Sequence, residues 1–145
     1  MEIKAIHPNF QLPVRGSEQA AGYDIYMPEK GIVHVNKPVK VGLGFATAIP
    51  PGYVALLLPR SGTGAKHGVG VRNTVGIIDA DYTGEWFAFI TIDDVDSRGA
   101  DSFEWEAGER LLQFVLVPFG TAQLTVVEEL TKTQRGAGGF GSTGA

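Results

Sequence analysis

The sequence predicts an all-β sandwich or barrel. Short apolar runs recur along the chain, turn residues separate them, and no long amphipathic helix interrupts them. The turn signal is dense, since the 145 residues include 20 Gly and 8 Pro. Residues 32–35 form the first strand candidate. In residues 39–45 the apolar side chains alternate: Val39, Val41, Leu43 and Phe45 fall on one side, Lys40, Gly42 and Gly44 on the other. Pro50-Pro51-Gly52 makes a turn, and residues 54–58 follow as an apolar run stopped by Pro59. Residues 62–67 have room for one short helical turn. Further strands are predicted at 69–71, 75–78, 86–92, 111–117 and 124–127. The acidic stretch at 93–101 reads as a solvated loop.

Length and composition bound the function. The chain has the size of one domain with a single core. It holds no cysteine, so disulfides and thiolate zinc sites are excluded. His7, His34 and His67 are too scattered to suggest a metal cluster. The start lacks the basic-then-apolar pattern of a secretory signal, and no apolar run approaches membrane-spanning length. The expectation is therefore a soluble cytoplasmic protein without membrane contact. A net charge of −4 argues against a general nucleic-acid surface but leaves room for a small phosphorylated ligand.

Five segments carry candidate chemistry. Pro59-Arg60-Ser61-Gly62-Thr63-Gly64-Ala65-Lys66-His67-Gly68 has the glycines, hydroxyls and cations of a phosphate cradle. It lacks the Walker spacing, and the chain has no crossover helix for a P-loop. Asn73-Thr74-Val75-Gly76-Ile77-Ile78-Asp79-Ala80-Asp81-Tyr82-Thr83-Gly84-Glu85 aims Asp79 out of a strand end, with Asp81 on the same face if the extension persists. Asp79 could be a general base or an acid capping a turn, and Tyr82 a flat surface for a sugar. Asp24, in Ala20-Ala21-Gly22-Tyr23-Asp24-Ile25, could hold a hydrated Mg²⁺ or form a structural turn. Gln113, in Gly108-Glu109-Arg110-Leu111-Leu112-Gln113-Phe114, interrupts an apolar strand, and its amide needs a backbone or phosphate partner. Arg135-Gly136-Ala137-Gly138-Gly139-Phe140-Gly141-Ser142-Thr143-Gly144 is too glycine-rich to order itself. It carries a phosphate-matching arginine and an aromatic able to cover a base.

In this order the five segments resemble the motifs of the trimeric dUTP pyrophosphatase (dUTPase) family, over nearly the whole chain. The most specific parts are Pro59 to Gly62, Gly76 to Gly84 and the C-terminal Arg135 to Gly144. Small departures occur at Thr63-Gly64, Leu112 and Ala137, none at a position assigned to chemistry. The resemblance implies a jelly-roll-like domain over residues 1–134 and a mobile arm over 135–145 that closes on a neighbour's active site. It implies a homotrimer and Mg²⁺-dependent hydrolysis of dUTP to dUMP and pyrophosphate, which limits uracil in DNA and supplies dUMP for dTMP synthesis. Neither nucleic acid nor membrane is an implied partner.

By the same resemblance Asp79 is the base that activates water, and Asp24 reaches the metal through water. Arg60, Ser61, Gln113 and Arg135 contact phosphates, with Gly62 in the same loop, and Arg110 is a structural ion-pair residue. Asn73, Gly76, Ile77 and Ile78 read the base edge, and Tyr82 lies beneath the deoxyribose. Phe140, with Gly141 and Ser142, comes from the arm to cover the uracil. Two rivals stand beside this reading: a dCTP deaminase-like enzyme on the same fold, and a nucleotide-binding regulatory protein. The first needs a differently placed glutamate, and the acidic loop is the one hint of the second.

Overall fold

The interior is organised around three aromatic rings. Phe45, Trp86 and Phe114 are buried, with ring centroids 5.1 Å apart between Phe45 and Trp86 and 5.2 Å between Trp86 and Phe114. Tilted and edge-on contacts of this kind add to the burial of large apolar area. The computed structural model describes residues 1–94 and 99–138. In chain order the elements are β1 (Glu2–Ala5), β2 (Val14–Arg15), β3 (Tyr23–Tyr26), β4 (Gly31–His34), β5 (Val39–Gly42), β6 (Phe45–Ala48) and β7 (Tyr53–Pro59). There follow α1 (Ser61–His67), β8 (Val69–Val71), β9 (Gly76–Ile78), β10 (Phe87–Ile92), β11 (Ser102–Trp105) and β12 (Arg110–Pro118).

All the pairings are antiparallel. The largest sheet runs β2-β3-β12-β7-β9, a second runs β5-β10-β8, and β1-β6 and β11-β4 form two-stranded ribbons. Alternate residues of the two main sheets interdigitate. Leu57, Leu112 and Phe114 from one and Val71, Ala88 and Ile90 from the other belong to the same buried cluster. The result is a jelly-roll-like β-sandwich, as the sequence predicts, and α1 is its one helix among the described residues. No described helix is long and apolar enough to cross a membrane.

Two strand expectations need correction. Residues 39–45 are not one strand: the chain breaks after Gly42, and Gly44 takes φ +77, a left-handed conformation that costs glycine little. The break lets β5 pair with β10 while β6 pairs with β1. Residues 124–127 form no strand. Leu124 is 93 % exposed and Val126 fully so, because no edge of the same chain receives them. Alternation makes a strand possible, but a ladder needs a partner.

Candidate active site

The central strands gather one charged cluster. Asp24 on β3 lies directly across from Gln113 on β12, which in turn faces Leu58 on β7. Asp24 is buried, yet both carboxylate oxygens are satisfied. Arg60 Nε donates to Oδ1 at 2.9 Å, and Arg110 Nη1 donates to Oδ2 at 3.2 Å. Arg60 Nη1 also donates to the Arg110 carbonyl at 3.1 Å. Nε and one edge of the Arg60 guanidinium are thereby fixed, leaving Nη2 for another acceptor. Arg110 is the ion-pair residue that the sequence suggests.

Gln113 takes the backbone option: Nε2 donates to the Pro59 carbonyl at 3.1 Å. Its amide oxygen lies so close to Gly22 that a side chain there would overlap it. Ser61 and Gly62 begin α1 and are exposed. Thr63, where the sequence departs from the family pattern, anchors the helix. Its hydroxyl is 2.9 Å from the Leu111 carbonyl and 3.1 Å from that of Arg60.

The second constellation is the turn joining β8 and β9, an open hairpin whose two arms form no ladder with each other, unlike the paired hairpin that the sequence suggests. Thr74 at φ 67 turns the chain, with N–H bonds of 2.7 Å from Thr74 to the Val71 carbonyl and from Val75 to that of Asn73. The arms then diverge: β8 pairs with β10 and β9 with β7. This makes β9 an edge strand, whose outer N–H and C=O groups have no ladder partner. Beside the hairpin lies a recess of about 400 Å³, lined by Asn73, Gly76, Ile77, Ile78 and the rings of Phe87 and Phe89.

Asp79 follows β9 and is exposed. The extension stops there, because the Tyr82 N–H donates to the Asp79 carbonyl at 3.1 Å in a turn. The extended chain that would put Asp81 on the face of Asp79 is therefore not formed. Tyr82 is 41 % exposed, and its hydroxyl donates to the Glu85 carbonyl at 2.7 Å. Glu85 Oε1 accepts the Gly44 N–H at 3.1 Å. The sequence reading assigned nothing to Glu85; Gly42, whose missing side chain leaves room for the carboxylate, was the available signal.

One chain does not bring all the predicted residues together. Asp24 and Asp79 are separated by three strand spacings, ~14 Å, and by about four residues along β7, ~13 Å, so roughly 19 Å in all. Arg135 is exposed in a local turn, where its Nε donates to the Gly138 carbonyl at 2.9 Å. Among the described residues, a backbone hydrogen bond from the Phe119 N–H to the Gly52 carbonyl ties the start of 119–138 to the sandwich. Phe140, Gly141 and Ser142 lie outside the described residues, as does part of the acidic loop.

The residues present fit a hydrated Mg²⁺ only as outer partners. Among the described residues no three His, Cys, Asp or Glu side chains cluster as ligands. Asp24 already holds two guanidinium groups, but each oxygen keeps a second acceptor position that a metal-bound water could use.

A β-sandwich with two arginines gathered on a buried aspartate, an open hairpin and an exposed aspartate suits one class: a nucleotide-handling all-β protein. The comparisons specify it. The dUTPase family model matches residues 8–144. Two relatives named deoxyuridine 5'-triphosphate nucleotidohydrolase are similar to the chain over 144 residues. That of Nautilia profundicola is 38 % identical, covering 99 % of this chain and 98 % of its own; that of Wolinella succinogenes is 41 % identical, covering 99 % and 93 %. A solved structure of Staphylococcus bacteriophage 80alpha dUTPase with dUPNHPP is similar at a TM-score of 0.89. It shares 31 % identity, with coverage of 99 % and 98 %. The chain belongs to the dUTPase family.

Proposed function

We propose that this protein hydrolyses dUTP to dUMP and pyrophosphate, as a homotrimer in the cytoplasm, with Mg²⁺ carried on the triphosphate. The observation that carries the substrate choice is the hairpin. The unpaired edge of β9 can match the uracil edge with alternating N–H and C=O groups, and Asn73 borders the same recess. Cytosine would set donor against donor, costing about 1–3 kcal/mol for each buried group left unpaired. A hairpin packed closely around the bound base would reject the thymine methyl sterically.

Asp79 accepts a proton from water, whose oxygen bonds to the α-phosphorus. The bond from the α-phosphorus to the bridging oxygen breaks, and pyrophosphate leaves with that electron pair. Ser61 is suited to the bridging oxygen, and Arg60, Gln113 and Arg135 to the phosphates. The Gln113 amide must leave the Pro59 carbonyl, or accept a second partner, to do so. Mg²⁺, when bound to the phosphates, neutralises their charge and holds one chain conformation. Asp24 would hold its water.

The separation of Asp24 from Asp79 within one chain supports a site shared between subunits. So does the exposed 119–138 segment, whose Leu124, Val126, Val127 and Leu130 are left uncovered and which leads to the arm carrying Arg135 and Phe140. By this activity the enzyme would limit uracil in DNA and supply dUMP for dTMP synthesis.

Turnover on dUTP, dCTP, dTTP and UTP tests the substrate, and Asp79→Asn tests the base. The variant should bind a non-hydrolysable dUTP analogue normally while kcat falls at least about 10²-fold. Normal kcat would remove the base assignment, and dCTP deamination would replace the reaction.

A further inference from the structure

We propose that Glu85 is a positioning residue for Tyr82, tying the ring beneath the sugar to the bend between β5 and β6. The inference rests on the dUTP-hydrolysing reading above, with Tyr82 beneath the deoxyribose, where the ring would leave no room for a 2′-hydroxyl and so separate dUTP from UTP. Its starting point is the bend. There the Leu43 N–H donates to the Trp86 carbonyl at 2.8 Å, and the Trp86 N–H donates to the Phe45 carbonyl at 2.9 Å. Gly44, between these two bonds, sits in the bulge, and its N–H takes the Glu85 carboxylate instead. An ionised acceptor makes this stronger than a neutral bond of the same length.

The carboxylate is held from a second side. A Cβ added at Gly42 would lie 2.7 Å from Glu85 Oε1 and 3.3 Å from Cδ, so the group rests directly on that glycine. The backbone of the same residue holds the tyrosine, through the 2.7 Å bond from the Tyr82 hydroxyl to the Glu85 carbonyl. The ring packs over Gly84, where an added Cβ would come within 2.7 Å of the hydroxyl oxygen. Tyr82 is not among the residues packed on the core cluster. Its orientation therefore depends on this short relay from bend to carboxylate, to carbonyl, to hydroxyl. Releasing the carboxylate would let residues 83–85 shift and the ring tilt away, making room for a 2′-hydroxyl.

The readout is the ratio of kcat/KM for dUTP to that for UTP, measured well below the melting temperature. Glu85→Ala should lower that ratio about three- to tenfold, the range that one hydrogen bond's net contribution spans. The dUTP to dCTP ratio should stay put, since the hairpin is untouched. Glu85→Gln should restore the ratio, because its amide oxygen can accept the same Gly44 N–H. Gly42→Ala, which crowds the carboxylate without removing it, should lower the ratio like Glu85→Ala and serves if that variant does not fold. Tyr82→Ala is the control. If it leaves the ratio unchanged, the sugar role of Tyr82 is wrong and the proposal falls with it. If it lowers the ratio while Glu85→Ala or Gly42→Ala shifts only stability, the relay alone is wrong. Loss of the ratio in Glu85→Gln equal to that in Glu85→Ala would also overturn it.

Discussion

Replacing Asp24 by Asn separates the structural work of that carboxylate from its proposed work beside the metal. Asp24 accepts one charged hydrogen bond from Arg60 and one from Arg110, at 2.9 and 3.2 Å. Asparagine keeps one acceptor oxygen but turns an NH₂ toward the other guanidinium, so one bond becomes donor against donor. Bonds to charged groups contribute about 1.5–3 kcal/mol each, and the variant loses one and weakens the other. The gross cost is then about 3–4 kcal/mol. Both arginine side chains are more than a third exposed, at 35 % and 39 %, so water screens part of this. We expect a net loss of about 2 kcal/mol, which for a chain of this size lowers Tm by roughly 6–10 °C. The assay is thermal unfolding of parent and variant at one salt and one protein concentration, because assembly would make Tm concentration-dependent. Raised salt should narrow the gap. KM for dUTP should rise too, as Arg60 loses its orientation. A Tm within about 2 °C of the parent would refute the claim that this buried pair organises the cluster.

Gly22→Ala should push the Gln113 amide off the Pro59 carbonyl; because the displaced atom ends a flexible side chain, Tm should fall little while KM for dUTP rises several-fold, and an unchanged KM would count against a phosphate role for Gln113. Removing residues 135–145 should leave a folded trimer with little activity, and mixing those chains with full-length Asp79→Asn chains should restore some. No rescue after verified subunit exchange would exclude a site in which arm and base come from different chains. Millimolar Mg²⁺ alone should not raise Tm, since the two guanidinium groups at Asp24 repel a bare dication, whereas Mg²⁺ with a non-hydrolysable dUTP analogue should raise it clearly. A rise with Mg²⁺ alone would mean that the free protein holds the ion.

How much of this was legible in the sequence varied by segment. The long apolar runs that became β7, β10 and β12 were clear, because buried central strands must be apolar along their length. β1, β2, β3 and β11 were missed: Glu2–Ala5, Tyr23–Tyr26 and Ser102–Trp105 are four residues each and Val14–Arg15 two; they mix charge with apolar character and owe their conformation to a neighbour's ladder. Glu85 was passed over for a related reason. An acid after glycine reads as an ordinary turn, and its acceptor role exists only once Gly44, 41 residues earlier, folds beside it.

The same limit shapes the reading of the site, and the motifs themselves show why. Each is a local cluster of residues, so its chemistry can be read without the fold. Which motifs meet is a matter of topology. β12 puts Gln113 beside Asp24, and Arg60, following β7, closes on the same carboxylate, so these motifs share one cluster. β9, beyond β7 on the sheet's edge, carries Asp79 away from that cluster. Apolar residues that alternate at 124–127 yet find no ladder in their own chain point the same way, to edges supplied by another copy. A chain whose proposed site residues diverge, and whose strand-like 124–127 segment is unpaired among the described residues, fits the proposed site that association would complete.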